Sequence, residues 1–279
     1  MSKILITGAK SFIGQSIYPN LLKNHQVCAP YHKDLDVTNI GHLQPFLEDY
    51  RPDFIIHSAV SGCGKDTDTQ QDFINNSNMY FNLWKCKDLY KHLIVFGSGA
   101  EYNRKHNIYN AEEGIFSHGC PEDLYGYFKY FQRLNYQEWN NVSLLRIFNC
   151  FGAKEKETRF IKTCINNCLN NKDIIIPEDK SFSFFYIKDL EIVINHIIQN
   201  PPDKYFELNC VYEKPMWLSE TAQLIKGLTN SKSNIIIQAE GLDYNGCGDK
   251  LKELNLPFIG LKNGLIEYIE EIKNAPDKI

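Results

Sequence analysis

Several features that mark large classes of protein are missing from this sequence. No apolar stretch approaches the roughly 18 residues a membrane span requires, so no membrane partner is expected. No charged-then-apolar leader precedes Ile4-Leu5-Ile6, and the expected location is the cytoplasm. Basic residues are not in excess: 30 Lys and Arg stand against 34 Asp and Glu, a net charge of -4. That balance gives no global attraction to nucleic acid or to an anionic membrane, so any anion must be held by local groups. The nine cysteines are odd in number and include no C-x-x-C pair. In a chain of this length they read as reduced core thiols rather than a disulfide scaffold, and no metal site is expected. Internal repeats and low-complexity linkers are also lacking.

What is present is a rhythm. Short apolar runs at residues 3–7, 26–30, 53–57, 92–97 and 142–148 alternate with amphipathic stretches at 12–23, 40–50, 72–90 and 124–139. Strands buried on both faces read as nearly continuous apolar runs, as in Phe54-Ile55-Ile56 and Leu93-Ile94-Val95-Phe96. The alternation predicts an α/β fold with a doubly wound parallel sheet. After Gly152 the rhythm loosens. A strand at 174–176, a helix at 188–199 stopped by Pro201-Pro202, a strand at 205–209, helices at 218–228 and 261–272 and a strand at 234–237 are expected there.

Residues 4–14, Ile-Leu-Ile-Thr-Gly-Ala-Lys-Ser-Phe-Ile-Gly, read as a strand, a tight turn and a helix start. In that setting backbone N–H groups and the helix dipole hold a pyrophosphate, as in a Rossmann dinucleotide site. The expected contacts are Gly8, Lys10, Ser11, Phe12, Ile13 and Gly14, with Ser11 standing where the fingerprint has its middle glycine. A site preferring NAD(H) usually ends its second strand in Asp or Glu. Here that place reads Ala29-Pro30-Tyr31-His32-Lys33, and Lys10 with His32 or Lys33 supplies cations suited to a 2′-phosphate. NADP(H) is therefore expected over NAD(H). Residues 1–155, with a return segment at about 182–200, are read as the dinucleotide-binding Rossmann domain. Residues 156–181 and 201–279 are read as a smaller α+β C-terminal substrate lobe.

Tyr125 and Lys129 stand four apart on a helix, hence on one face. An ammonium beside a phenol favours phenolate and suits the phenol to proton exchange with a hydroxyl or ketone. Such a pair is common by chance, but here Ser98 ends the strand at 92–97 and Gly99-Ala100-Glu101-Tyr102 follows. Together these motifs resemble the extended short-chain dehydrogenase/reductase family, of NAD-dependent epimerase/dehydratase type, along nearly the whole chain. The family's T-G-x-x-G-F-x-G loop resembles residues 7–14, its adenine contact Asp34-Leu35-Asp36-Val37, and its H-x-A-A segment His57-Ser58-Ala59-Val60. Asn76 and Asn82 resemble its N-x-x-x-x-x-N, Arg146, Asn149 and Gly152 its R-x-x-N-x-x-G, and residues 184–189 its F-x-Y-V-D-D.

The resemblance implies that Ser98 hydrogen-bonds the substrate oxygen, Tyr125 moves its proton, and Lys129 tunes Tyr125 and holds the nicotinamide ribose. Asp36, Val37, Ser58, Ala59, Val60 and Asn76 join the cofactor contacts. Gly99, Asn149, Arg159 and Lys180 join Ser98 as substrate contacts. The pattern is most similar to the nucleotide-sugar 4-ketoreductases, the branch of GDP-fucose synthase and dTDP-4-dehydrorhamnose reductase. Where the family's dehydratases carry an Asp-Glu pair, Gly99 and Ala100 transfer no proton. Where GDP-fucose synthase places its epimerising cysteine and histidine, this chain has Ala100 and, by approximate alignment, Arg159.

The expected function is NADPH-dependent reduction of a 4-keto sugar nucleotide without epimerisation. Cys63 and Cys150 are the thiols that could restore the missing step, although a buried core thiol is the more common fate of each. His118 and Cys120 lie on the loop before Tyr125, where substrate contacts occur. The family arginine that grips the substrate diphosphate is Phe182 here, with Lys180 or Arg159 as its replacement. The alternatives are a nucleotide-sugar 4-epimerase with tightly bound NAD and a non-catalytic nicotinamide-binding regulator. The family also implies a homodimer through the helices at 72–90 and 124–139. Phe73, Met79, Phe81, Leu83 and Trp84 of the first exceed what one buried face needs, though all suit a core.

Overall fold

A computed structural model of the chain describes residues 1–62, 68–115 and 119–274. The expected alternation is present: β1 (Lys3–Thr7), α1 (Phe12–Asn24), β2 (Gln26–Cys28), α2 (Ile40–Tyr50), β3 (Phe54–His57), α3 (Gln70–Lys85) and β4 (His92–Ser98). A strand that the sequence reading did not anticipate, β5 (Ile108–Ala111), precedes α4 (Leu124–Tyr136) and β6 (Val142–Ile147). Then come β7 (Cys150–Phe151), α5 (Phe160–Leu169), β8 (Ile174–Ile176), β9 (Ser181–Phe182), β10 (Phe185–Tyr186), α6 (Ile187–Gln199) and β11 (Phe206–Cys210). The chain continues through β12 (Met216–Trp217), α7 (Leu218–Thr229), β13 (Ile235–Ile237), β14 (Tyr244–Gly246), α8 (Asp249–Glu253) and α9 (Gly260–Lys273). Among the described residues no helix is long and apolar enough to cross a membrane.

The chain divides into two compact units. The first holds Met1–Asn103, Gly114–Arg146 and Val193–Leu208; the second holds Arg104–Glu113, Ile147–Ile192 and Asn209–Ile279. The six-stranded sheet runs β11-β6-β4-β3-β1-β2, with β1 parallel to both β2 and β3, and β3 parallel to β4. This is a doubly wound Rossmann-like sheet, and the strand order reverses at β1. Sheets of this class bind ligands beyond the carboxyl ends of the strands where the order reverses, which here are β1 and β3.

Two helices end before their apolar patterns do. The helix expected to reach residue 90 stops at Lys85 and gives way to a 3-10 turn at Lys87–Leu89. The buried Tyr90 donates its hydroxyl to the Leu83 carbonyl at 2.9 Å, taking up an acceptor of the last helical turn. Similarly α4 stops at Tyr136, and Trp139 turns back to set its ring 4.8 Å from Tyr136 and 5.5 Å from Tyr80. These rings join Leu5, Leu43, Leu83, Val95 and Leu144 in the apolar core of the first unit.

The second unit contains a four-stranded sheet, β12-β9-β14-β5, and the parallel pairs β8–β13 and β7–β10. β5 escapes sequence reading because its residues, Ile-Tyr-Asn-Ala, carry little strand signal. It is ordered by β14, far along the chain, and Asn110 donates its backbone N–H to Asn245 Oδ1 at 2.6 Å.

Candidate functional site

The loop after β1 is built for close approach. Gly8 adopts φ +71°, and a Cβ there would lie 2.5 Å from the Ala59 backbone nitrogen, so the first turn and the segment after β3 pack without a side chain between them. Ser11, in place of the middle glycine, has φ -64°, a conformation any residue adopts. Its hydroxyl accepts from the Gly14 N–H at 2.9 Å and donates to Ser58 Oγ at 3.0 Å. Ser58 in turn donates to the Thr7 carbonyl at 2.7 Å. The serine therefore caps α1 and leaves the turn intact. Phe12 and Ile13 are the first residues of that helix, whose positive end suits an anion.

Lys10 from this loop sets its ammonium 4.5 Å from the centre of the Tyr31 ring, which brings it to the segment after β2 that carries His32 and Lys33. His32 lies 3.4 Å from Asp36. Partial burial works against ionisation of Asp36, but hydrogen bonds from the Thr38 hydroxyl and backbone N–H hold its carboxyl below the usual range. Val37 is buried, and its carbonyl accepts from Asn82 Nδ2 at 3.0 Å. Asn76 is also buried, and its amide holds Ser61 by both backbone groups, accepting from N at 2.9 Å and donating to O at 2.8 Å. It fixes the loop that carries Ser58, Ala59 and Val60, of which Val60 is exposed.

Ser98 closes β4 and accepts from the Ala100 N–H at 3.2 Å, opening the 3-10 turn Gly99–Glu101. Against this turn lies α4, capped by Asp123, whose side chain accepts from the Gly126 N–H at 2.8 Å. A Cβ on Gly126 would stand 2.6 Å from the Ala100 carbonyl oxygen, so the glycine allows the helix to touch the turn. Tyr125, beside that glycine, is half-buried. One turn on, Lys129 is buried, donates to the Phe96 carbonyl at 2.7 Å, and lies 5.9 Å from the centre of the Tyr125 ring. His57, bonded to Thr7 Oγ1 at 2.7 Å, is pushed down to about 3, by burial first and then by the charge of Lys129. Near neutral pH it adds no second cation.

In the second unit, Asn149 and Arg159 are joined by a 2.8 Å hydrogen bond from the guanidinium to Oδ1, with Arg159 at the exposed start of α5. Lys180 sits before β9 and pairs with Glu178 at 3.2 Å; no hydrogen bond or ion pair joins it to Asn149 or Arg159. Phe182 packs its ring 5.0 Å from Phe184 and 5.2 Å from Tyr244. An aromatic cluster thus occupies the place of the family arginine. Cys150 is buried, and burial pushes its thiol well up, which disfavours the thiolate. Cys120 is exposed. Cys63 and His118 lie outside the described residues.

Four charged residues of the first unit received no role from the sequence. Glu101, Arg133, Arg146 and Glu207 are all buried and joined in one network. Their signal was present in Leu144-Leu145-Arg146-Ile147 and Phe206-Glu207-Leu208, where a charge interrupts an apolar strand and therefore needs a partner.

Fold and loop together define an α/β protein of the doubly wound, Rossmann-like class. The NAD dependent epimerase/dehydratase family profile matches residues 4–208, and the chain belongs to that family. A GDP-L-colitose synthase from Yersinia pseudotuberculosis is 33% identical over 107 residues, covering 36% of this chain and only 34% of that protein. The fold is shared with a GDP-mannoheptose C4 reductase from Campylobacter jejuni with NADP bound (TM-score 0.84, 19% identity, 98% of each chain covered). It is also shared with the dTDP-4-dehydrorhamnose reductase of Bacillus anthracis in complex with NADP (TM-score 0.80, 20% identity, 97% of this chain and 98% of that one).

Proposed function

We propose that this protein uses NADPH to reduce a 4-keto sugar carried on a nucleotide, without epimerising it. The observation that supports the reading is the packing of α4 on the turn that follows Ser98: Gly126, next to Tyr125, meets the Ala100 carbonyl, and the buried Lys129 bonds the Phe96 carbonyl two residues before Ser98. The bound nicotinamide would supply the hydride. The backbone of residues 8–14 would hold the pyrophosphate, Asp36, Val37, Ser58, Ala59 and Val60 would line the cofactor, and Asn76 would fix that lining. Ser98 donates a hydrogen bond to the substrate oxygen, Tyr125 gives it a proton, and Lys129 holds the ribose and orients Tyr125. Gly99, Asn149, Arg159 and Lys180 are assigned to the substrate, with the second unit as the source of its specificity. The names of the curated relative and of the NADP-bound reductases support this substrate class.

The test is oxidation of added NADPH by the purified protein in the presence of a 4-keto sugar nucleotide. Run in deuterated water, the product should carry no enzyme-dependent deuterium at carbons 3 and 5. Interconversion of two sugar nucleotides with no added cofactor would replace this reading with the 4-epimerase.

NADPH should bind more tightly than NADH, because Lys10, held at Tyr31, and the neighbouring His32 and Lys33 supply cations where an NAD site has a carboxylate. Charge-assisted contacts of this kind contribute about 1.5–3 kcal/mol. In cofactor titrations Lys10→Ala should narrow the preference, and equal affinities in the unaltered protein would refute it.

The protein should also be a homodimer. The residues singled out on α3 divide: Met79 and Leu83 are core, Phe73 packs against the core, and Phe81 and Trp84 are each 45% exposed. Ile74, Phe81 and Trp84 form one stripe of α3, and Tyr127 and Leu134 continue it on α4, all exposed. The Phe81 and Phe131 rings, 6.4 Å apart, join the two helices. Such a patch supports a subunit interface on these two helices. Light scattering at micromolar concentration should give twice the monomer mass.

A further inference from the structure

The buried charges of the first unit form a chain of contacts whose two ends lie on the two elements that carry the proposed catalytic groups. Glu101 accepts from the Ser98 backbone N–H at 2.8 Å with one oxygen and from Arg146 Nε at 2.8 Å with the other. Arg146 Nη2 donates to Glu207 Oε2 at 2.9 Å. Glu207 takes a two-pronged grip from Arg133 of α4, at 3.0 and 3.1 Å, and a further hydrogen bond from Tyr205 at 3.3 Å. A Cβ on Gly97 would stand 2.5 Å from the Glu101 carboxylate, so the strand before Ser98 is kept clear for that side chain. Two guanidinium and two carboxylate groups leave the network neutral.

Such a network is a poor source of stability, because apolar residues of similar volume often do as well or better. What it supplies that an apolar cluster does not is direction, since bidentate arginine–carboxylate contacts fix distance and plane together. Catalytic geometry must be held to about 0.5 Å. Resting on the reductase reading of Ser98, Tyr125 and Lys129, we propose that Glu101, Arg146, Glu207 and Arg133 are positioning residues, a rigid strut that sets the Ser98 turn against α4. None of the four touches substrate or cofactor in this assignment. Arg133 lies two helical turns beyond Tyr125 on the same helix, so a shift at the arginine is carried to the tyrosine.

The experiment removes the link farthest from the chemistry. Arg133→Met leaves Glu207 with the Arg146 guanidinium and the Tyr205 hydroxyl, whereas Arg133→Met combined with Glu207→Met removes a balanced pair and leaves Arg146 with Glu101. Each protein, with NADPH bound, is compared with the unaltered one by hydrogen exchange over residues 96–102 and by kcat on a 4-keto sugar nucleotide. The Kd for NADPH and the thermal midpoint are measured alongside. The strut requires faster exchange at 96–102 than at β1 in both variants. It also requires kcat lowered roughly 10- to 100-fold, the scale of a 1 Å misplacement, with the Kd for NADPH changed less than about threefold by the same reasoning.

Arg133→Lys should recover part of both effects. Should Arg133→Met fail to fold, the balanced pair carries the test. A double variant with the kcat and exchange of the unaltered protein would overturn the proposal, since the network would then serve only to avoid an unpaired buried charge. Exchange is read without substrate. An unaltered protein that reduces no sugar nucleotide would therefore count against the reductase reading, while unchanged exchange at 96–102 would count against the strut.

Discussion

Replacing Tyr125 by Phe should lower turnover by about 10²–10⁴-fold while leaving NADPH binding nearly intact, because general acid catalysis contributes on that scale. The substitution deletes one oxygen from a half-buried ring and leaves Gly126, which carries the contact of α4 with the Ala100 carbonyl, untouched. Lys129 keeps its bond to the Phe96 carbonyl, so the helix and its charge stay where they are. The loss should therefore appear in kcat and in kcat/KM alike, with the cofactor Kd as the control. A Tyr125→Phe protein of full activity would overturn the assignment of the site.

The second large effect lies in the second unit and concerns stability. Glu155 is buried with its carboxylate facing the buried hydroxyl of Tyr268, and among the described residues neither group completes a hydrogen bond of good geometry. Burial pushes the Glu155 carboxyl up to about 7, against the pull of the Arg159 and Lys162 charges. In the unfolded chain the same group titrates near 4.5. The folded state thus holds the proton more tightly, and its contribution to stability is complete below pH 4.5 and lost as the pH rises through about 7.

Glutamine keeps the shape and is neutral throughout. Glu155→Gln should match the unaltered protein at pH 4 and exceed it at pH 8 by roughly 1–3 kcal/mol, the usual cost of a buried polar group left unpaired. Urea unfolding at the two pH values measures the difference. A gap between the two proteins that does not change with pH would refute the account.

The first half of the chain was largely legible because its signals are local. Apolar runs covered on both faces mark β1, β3 and β4, and Gly8 and Gly14 mark the tight turn into α1. Ser98, Tyr125 and Lys129 were legible as motifs, and α4 does bring the last two to one face beside the turn of the first. The role of Ser11 was not legible. The sequence shows a small residue in the place of a glycine; only the backbone shows that φ there is negative and that the hydroxyl caps the helix.

The sequence by itself determined the sheet-and-helix alternation and the glycine turn between β1 and α1, since each depends on residues within a few positions of one another. Only the tertiary structure decided what is joined across long separations. It alone showed the pairing of β5 with β14, the insertion of residues 104–113 into the second unit, and the division of the α3 apolar residues between core and surface. The chain of contacts from Ser98 through Glu101, Arg146 and Glu207 to Arg133 belongs to the same class. The physical reason is that a buried charge states in the sequence only that it needs a partner; which partner it finds depends on how the strands and helices pack around it.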